Sequence, residues 1–170
     1  MSGIDIQSYL DSHLLLTRAI AGLGEEQLKW KETPAKWNVT EVLAHLADHN
    51  IVVSFRIRDI LADTKAQLPA FNQDRWVEGQ RANDSNATDI LDAYWALLTY
   101  NAQLFGRLSE PDLEKGGINF KGEFVKVRDI IGGFTKHVQT HLAQIERIKN
   151  AYANREANVS AESVVQGGIE

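Results

Sequence analysis

Two histidines lie one helical turn apart in the last amphipathic stretch of the chain, residues 129–148. His141 falls on the apolar face of that stretch, and His137 precedes it by four residues. Side chains so spaced have Cβ atoms about 5 to 6 Å apart, so two imidazoles can bind one cation. No glutamate follows the first histidine as in zinc-protease helices, and a complete metal site needs a third ligand from elsewhere. The other members of the apolar face recur at steps of three and four: Ile130, Phe134, Val138, Ile145 and Ile148.

The composition limits what the third ligand can be. The chain has no cysteine, which excludes disulfides, thiolate metal sites and a cysteine nucleophile. A metal must therefore be bound by histidine and carboxylate. The net charge of -5 and the lack of a Lys/Arg cluster argue against nucleic acid and against an anionic membrane as partners.

Length and hydropathy predict one soluble domain. A chain of 170 residues is long enough to bury a sizeable core without covalent staples. No stretch approaches the ~18 apolar residues of a membrane span. The first residues, Met1 to Asp5, lack the basic and apolar regions of a signal peptide. We therefore expect a cytoplasmic protein without a membrane partner.

The elements that must position these histidines are helices. Four amphipathic helices are predicted, at about residues 4–21, 39–62, 88–108 and 129–148. Residues 63–87 contain Pro69 and a polar run, which predicts a long crossover between the second and third helices, with a short helix around Trp76. The pattern predicts an all-α four-helix bundle. We place this domain at residues 1–152 and a C-terminal tail at 153–170.

The second helix offers candidates for the third ligand. It begins at Asn38 with Glu41 three residues on, which is typical of an N-cap with a capping box. His45 and His49 lie one turn apart beside its apolar face, and either could face the C-terminal pair. Asp48 and Glu41 could orient an imidazole, although we favour an interpretation as surface charges.

Two further polar residues lie on predicted inner faces. His13 lies beside the apolar stripe of the first helix, but a lone histidine there is more often a packing residue than a ligand, so we leave it out of the site. Asn101 lies within the apolar stripe of the third helix and must find a hydrogen-bond partner. The remaining inner positions predicted for the first helix are Ile6, Leu10, Leu16 or Thr17, and Ile20.

Two adjacent glycines interrupt the fourth helix. Gly132 and Gly133 each cost about 0.8 to 1 kcal/mol relative to alanine in a helix interior. Gly133 lies one turn before His137. A missing side chain there either leaves space above a metal or allows close helix packing.

The segments on either side of the fourth helix are less regular. Residues 116–122 predict a loop that can hold a short extended piece. Residues 153–170 lose the apolar stripe and become polar, which is typical of a fraying helix end and a flexible terminus. Val164 and Val165 could instead dock on a neighbouring subunit. The sequence leaves both alternatives open.

Two motifs in a fixed order resemble a known family. The first runs from Trp37 to Asp48 and reads WNVTEVLAHLAD, and the second runs from His137 to Ile145 and reads HVQTHLAQI. With the segment FNQDRW in the crossover, they resemble the DinB-like superfamily, which includes YfiT-like proteins described as metal-dependent hydrolases. The resemblance covers nearly the whole chain, to about Asn150.

This resemblance implies a four-helix bundle whose divalent metal, Zn or Ni, is bound by His45, His137 and His141. It also implies a homodimer and a small-molecule substrate, since the family includes thiol-dependent S-transferases and a mycothiol-dependent isomerase. His49 is outside the pattern. It could be a fourth ligand, a substrate contact or part of the pocket wall.

The chemistry of such a site is that of an open metal centre. An ion bound by three neutral imidazoles stays doubly positive and keeps a free coordination position. Zn lowers the pKa of bound water from about 15.7 to about 7 and likewise favours a thiolate. The expected function is therefore that of a metal-dependent hydrolase or a thiol S-transferase. Any thiol must come from a low-molecular-weight cosubstrate, because the chain has no cysteine.

Two alternatives remain beside the enzyme. One is a non-catalytic dimeric bundle that binds or sequesters a small ligand, with or without metal. The other is a bundle in which the histidines only fill the core. No catalytic residue is assigned from the sequence, and the candidate general bases are Asp48, Glu41 and His49.

Overall fold

The secondary structure is mostly helical. The computed structural model describes residues 4–64 and 67–166, with side chains as far as residue 155. The elements are α1 Ile6–Ala19, α2 Glu25–Lys29, α3 Val39–Leu61, α4 Gln73–Gly79, a 3₁₀ helix Ala82–Asp84, α5 Ala87–Phe105, α6 Glu110–Glu114, β1 Gly116–Ile118, β2 Phe124–Lys126 and α7 Val127–Gln166. No helix in the described ranges combines the length and the apolar character that a membrane span requires.

The four long helices form a bundle in which α1 and α3 each pack against both α5 and α7. This confirms the predicted all-α four-helix bundle and the long crossover, which contains α4 and the 3₁₀ helix. Because α3 and α7 are neighbours, histidines on these two helices can meet. The largest fully buried side chains of the core include Tyr9, Tyr94, Phe105, Phe134, Leu16, Leu43, Leu46, Ile57, Leu98 and Ile145.

The inner face of α1 differs from the predicted one. Its buried residues are Tyr9, Ser12 and Leu16, whereas Leu10 and His13 are only half-buried. Leu16 is buried as predicted, and Ile6, Leu10 and Ile20 pack against the core while only partly buried. The prediction missed Tyr9 and Ser12 because it counted apolar side chains alone. The Tyr9 and Ser12 hydroxyls are buried at low cost, since each has a hydrogen-bond partner inside the bundle.

A buried hydrogen-bond network surrounds Asn101 on α5. Its Nδ2 donates to the Tyr9 hydroxyl at 3.2 Å and to Asn50 Oδ1 at 3.0 Å. Its Oδ1 accepts from Ser54 Oγ at 3.0 Å and from Arg58 Nη1 at 2.8 Å. The partners that Asn101 requires therefore come from α1 and α3, and the network links these two helices to α5.

The predicted start of α3 is present. The Asn38 side chain accepts from the Glu41 amide at 2.9 Å, and Glu41 Oε2 accepts from the Asn38 amide at 3.0 Å. This capping box satisfies free amides at the first turn. It fixes where α3 begins, and so which residues of α3 face α7.

A short antiparallel hairpin precedes α7, where the sequence predicts a loop with room for an extended piece. Gly116 pairs with Lys126, and Ile118 pairs with Phe124. A Cβ on Gly116 would meet the Phe124 ring and the Val125 carbonyl oxygen, both at 2.5 Å. Only glycine lets the two strands approach at this point.

The fourth long helix, α7, is longer than the predicted stretch 129–148. It continues to Gln166, because no glycine or proline after Gly133 ends it before that residue. Loss of the apolar stripe therefore does not end the helix. Its inner face begins with Val127 and continues with Ile131, and the predicted inner residue Ile130 is only half-buried.

The boundary between a domain at 1–152 and a tail at 153–170 stays a prediction. The boundary falls within α7, at no break in the helix. The side chains of Val164 and Val165 lie outside the described residues, so both alternatives for the tail remain open.

Candidate metal centre

The structure brings together the three histidines that the family resemblance implies as ligands. His45, His137 and His141 each offer one ring nitrogen, and these nitrogens all lie within 4.8 Å of one another. His45 is contributed by α3, and the other two by successive turns of α7. The chain separation between His45 and His137 is 92 residues, yet their Nε2 atoms lie 3.0 Å apart.

The geometry of this histidine cluster fits a shared cation. Two nitrogens bound to one Zn at 2.0 to 2.1 Å in tetrahedral geometry lie about 3.3 Å apart. The observed 3.0 Å between His45 Nε2 and His137 Nε2 is close to that value. For His141, Nδ1 lies 2.7 Å from Gln144 Oε1. An amide oxygen accepts, so Nδ1 carries the proton and Nε2 keeps a lone pair for a metal.

The cluster is held in its neutral, ligating form. Burial lowers the pKa of His45 to about 3, with further contributions from the charges of His141 and His137. Burial likewise lowers the pKa of His137 to about 4, and it also lowers the pKa of His141. At neutral pH no proton has to leave these imidazoles before a cation binds.

Aromatic side chains enclose the cluster on the side of α3. The ring centroid of Trp37 lies 4.9 Å from that of His45 and 6.4 Å from that of His141. Phe71 of the crossover stacks on His45 at 6.1 Å. These rings limit the rotation of the imidazoles.

His49 lies beside the cluster but does not belong to it. Its ring centroid lies 4.0 Å from that of His137 and 6.1 Å from that of His45. It stacks on Phe134 at 5.6 Å, and burial lowers its pKa to about 2. Of the alternatives open for His49, the one supported by its position is a place in a cavity wall.

The two carboxylates considered as bases or orienting groups are engaged elsewhere. Glu41 Oε2 accepts from the Asn38 amide, and Glu41 Oε1 pairs with Lys31 at 2.8 Å. Asp48 Oδ2 accepts from Gln80 at 2.5 Å, and burial raises the Asp48 pKa. Their interpretation as surface charges was wrong, since each is only 7% exposed.

The outer ring nitrogen of His45 has no partner that corresponds to Gln144 beside His141. His45 Nδ1 is buried and has no hydrogen-bond partner among the residues that the structure describes. Only His141 therefore has a side chain that fixes its tautomer within the described chain. His13 lies outside the cluster, with its ring 5.1 Å from Trp95.

Two cavities adjoin the cluster at different histidines. The Trp37 cavity, of about 670 Å³, is lined by Trp37, His141, Gln144 and Arg147, among other residues. The Arg56 cavity, of about 280 Å³, is lined by His137, His49, Arg56, Phe134 and Gly133, among others. Small molecules can therefore approach the cluster from two directions.

The lack of a side chain at Gly133 leaves open space. A Cβ built on Gly133 meets nothing within 4 Å, so the glycine is not required for close helix packing. Because Gly133 lines the Arg56 cavity, the structure favours the alternative in which the missing side chain leaves room beside the histidines.

Several residues of this site have no role in the sequence interpretation. Gln144 could be found from its spacing, since a residue three positions after His141 lies on the same helical face. Arg56 could be found in the same way, since it lies seven residues after His49 on α3. No spacing places Phe71, which meets His45 only because the crossover folds back over α3.

Comparison with known families shows which protein family the chain belongs to. The family model of the DinB superfamily matches residues 12–145. The chain belongs to the DinB superfamily. A DinB relative from Bacillus licheniformis, named "Putative metal-dependent hydrolase", is 30% identical over 139 residues, or 78% of this chain and 76% of the relative. A relative of that name from Oceanobacillus iheyensis is 23% identical over 134 residues, or 77% and 75% of the two chains.

Solved structures show the same DinB fold. YfiT from Bacillus subtilis, described as a probable metal-dependent hydrolase with an unusual four-helix bundle topology, matches with a TM-score of 0.80. The match has 19% identity and covers 87% of this chain and 85% of YfiT. A mycothiol-dependent maleylpyruvate isomerase matches with a TM-score of 0.67 at 11% identity, over 82% of this chain and 58% of the isomerase.

Proposed function

We propose that this DinB protein is a metal-dependent enzyme of the hydrolase or thiol S-transferase class, with Zn or Ni bound by His45, His137 and His141. The convergence of three neutral ring nitrogens within 4.8 Å of one another is the observation that carries the proposal. The names of the Bacillus licheniformis relative and of YfiT support metal dependence. The mycothiol dependence of the isomerase supports a thiol as a second reactant.

The residues of the chain have separate tasks in this proposal. The three histidines hold the ion, and Gln144 keeps the proton of His141 on Nδ1 so that Nε2 remains a donor to the metal. Trp37 packs against the His45 ring and limits its rotation. When bound, the ion supplies a Lewis acid that makes water or a thiol a usable nucleophile at neutral pH.

The two cavities favour a reaction with two organic reactants. A hydrolase needs room for one substrate and water, whereas a transferase must hold a thiol and an electrophile together. The Trp37 cavity and the Arg56 cavity touch different ligands of the same centre, His141 and His137. This arrangement supports the S-transferase, with the thiol supplied by a low-molecular-weight cosubstrate because the chain contains no cysteine.

The activity test uses tag-free protein loaded with Zn or Ni. Each sample is assayed with activated esters and, separately, with electrophiles plus small thiols. We expect turnover in one of the two assays, with loss of turnover after chelation and in His137→Ala. Saturable ligand binding without turnover in either assay would favour the non-catalytic binder and contradict the enzyme.

Two further expectations belong to the same proposal: the homodimer that the family resemblance implies, and the cytoplasmic location expected from the sequence. We propose a homodimer that works in the cytoplasm. Light scattering after size-exclusion chromatography measures the mass of the particle, and a monomer at micromolar concentration would contradict the dimer. Fractionation of cells that produce the protein tests the location.

A further inference from the structure

The Arg56 cavity combines an apolar wall with one cation. Its lining includes the apolar side chains of Val53, Leu68, Val125 and Phe134. His137 of the histidine cluster is also among its lining residues. The volume of about 280 Å³ lies just below the range of about 300 to 1,000 Å³ found for ligand sites. Its size and lining suit a short apolar group.

The cation in this wall has no counterion in the described chain. Arg56 is half-buried, and no carboxylate among the described residues forms an ion pair with it. A charge removed from water is costly unless a partner compensates it. An anion that enters the cavity would supply the counterion that this half-buried guanidinium lacks among the described residues.

The guanidinium of Arg56 is also held in a fixed orientation. Its Nε and Nη2 donate to the Pro69 carbonyl oxygen at 3.1 and 2.5 Å. A guanidinium has five N–H donors, so the outer edge formed by Nη1 and Nη2 still has hydrogens to donate. Two parallel N–H groups on that edge can donate to the two oxygens of one carboxylate.

We propose that the Arg56 cavity is a binding site for a small monocarboxylate with a short apolar body, whose carboxylate pairs with the outer edge of Arg56. The apolar body lies against Phe134 and the space left by Gly133, next to His137. A phosphate suits the site less well, because a dianion needs more donors than one edge of a guanidinium offers. His49 Nδ1, which is buried and without a partner among the described residues, is a further polar atom in the wall.

This inference deepens the proposed function by naming a substrate class, and it rests on that function only for the role of the carboxylate as a reactant. Binding itself does not require the metal. The test is therefore carried out on both metal-free and metal-loaded protein, and the metal content of every sample is measured. A protein that binds metal but shows no preference for a carboxylate overturns this inference and leaves the proposed function standing.

Isothermal titration calorimetry is carried out with three probes that share a six-carbon chain: hexanoate, hexanamide and hexyl phosphate. We expect metal-free wild-type protein to bind hexanoate more tightly than the other two. In Arg56→Gln, hexanoate binding should weaken by about 10- to 100-fold, the range for a lost charge-assisted hydrogen bond, whereas hexanamide binding should hardly change. Arg107→Gln is the matched control, since Arg107 is exposed and outside the cavity.

A second variant keeps the test valid if Arg56→Gln disturbs the crossover at Pro69. Gly133→Leu leaves Arg56 in place and fills the cavity, so it should weaken hexanoate and hexanamide alike. Circular dichroism checks that both variants remain folded. Three results would overturn the inference: no saturable hexanoate binding by wild type at millimolar concentration, hexanoate binding that survives both variants, or hexyl phosphate binding as tight as that of hexanoate.

Discussion

His45 Nε2 and His137 Nε2 face each other at 3.0 Å, although α3 and α7 contribute them from positions 92 residues apart in the chain. Two unprotonated ring nitrogens repel each other at this distance unless a proton or a cation lies between them. The low pKa values of both histidines mean that both rings are neutral at neutral pH. One tautomer then places an N–H between the two nitrogens, and the other leaves both lone pairs free for a divalent cation.

Loss of any one ligand should remove the metal. In His45→Ala, His137→Ala and His141→Ala we expect the bound metal to fall from about one ion per chain to a trace, because two imidazoles do not complete a site. Inductively coupled plasma mass spectrometry on tag-free protein measures the metal content. His13→Ala, which lies outside the cluster, should keep the full content. Equal metal in His137→Ala and wild type would mean that the histidines only fill the core.

Gln144 should affect metal affinity without touching the metal. In Gln144→Leu the His141 Nδ1 loses the oxygen that lies 2.7 Å away, so the tautomer with Nε2 free is no longer favoured. We expect metal affinity to fall by about 10- to 100-fold, measured by competition with a chelator of known affinity. Gln139→Leu, an exposed position on the same helix, should leave the affinity unchanged. An unchanged affinity in Gln144→Leu would show that this contact does not orient the ligand.

The metal-free protein should lose stability in acid. The pKa values of His45 and His137 in the folded chain, about 3 and about 4, lie below the ordinary value of 6.5. The unfolded chain therefore takes up protons first as the pH falls. The free energy of unfolding is highest above pH 6.5 and decreases as the pH falls from there toward about 4 and 3. Urea unfolding at several pH values measures this slope.

A double variant tests the origin of that slope. His45→Gln/His137→Gln removes two groups that must remain neutral in the folded chain. We expect its stability to depend less steeply on pH between 6.5 and 4 than that of metal-free wild type. Parallel curves for the two proteins would assign the acid sensitivity to other groups.

The Asn101 network should contribute measurably to stability. Asn101→Ala leaves Tyr9, Ser54 and Arg58 without one of their partners inside the bundle. We expect the free energy of unfolding to fall by about 1–3 kcal/mol, measured by denaturant unfolding. Gln103→Ala, at an exposed position of the same helix, should change it by less than about 0.5 kcal/mol. Equal effects at both positions would contradict a role for the network.

Alanine at Gly132 or Gly133 should stabilise the helix. A Cβ at either position meets nothing within 4 Å, so each change should raise the free energy of unfolding by about 0.8 to 1 kcal/mol. Thermal unfolding measures both. Only Gly133 lines the Arg56 cavity, so only Gly133→Ala should also alter ligand binding. Destabilisation by either alanine would indicate a close approach at that position.

The sequence by itself determined the class of the fold and the ligands that the family resemblance implies. Helical periodicity is a local property. The four long helices, with approximate boundaries, and the capping box at Asn38 could therefore be predicted. The motifs around His45 and His141 then identified the family. The end of α7 could not be predicted from the loss of an apolar stripe, because the helix continues to Gln166, beyond the last residues of that stripe.

Only the tertiary structure decided which polar groups are inside and what surrounds the ligands. Tyr9 and Ser12 turn inward because distant side chains satisfy their hydroxyls, a condition that periodicity does not contain. Phe71 and Arg56 reach the histidines through the fold of the crossover and of α3. Such contacts depend on how close two residues are in space. When a long loop separates two residues, their spacing along the chain does not predict that distance.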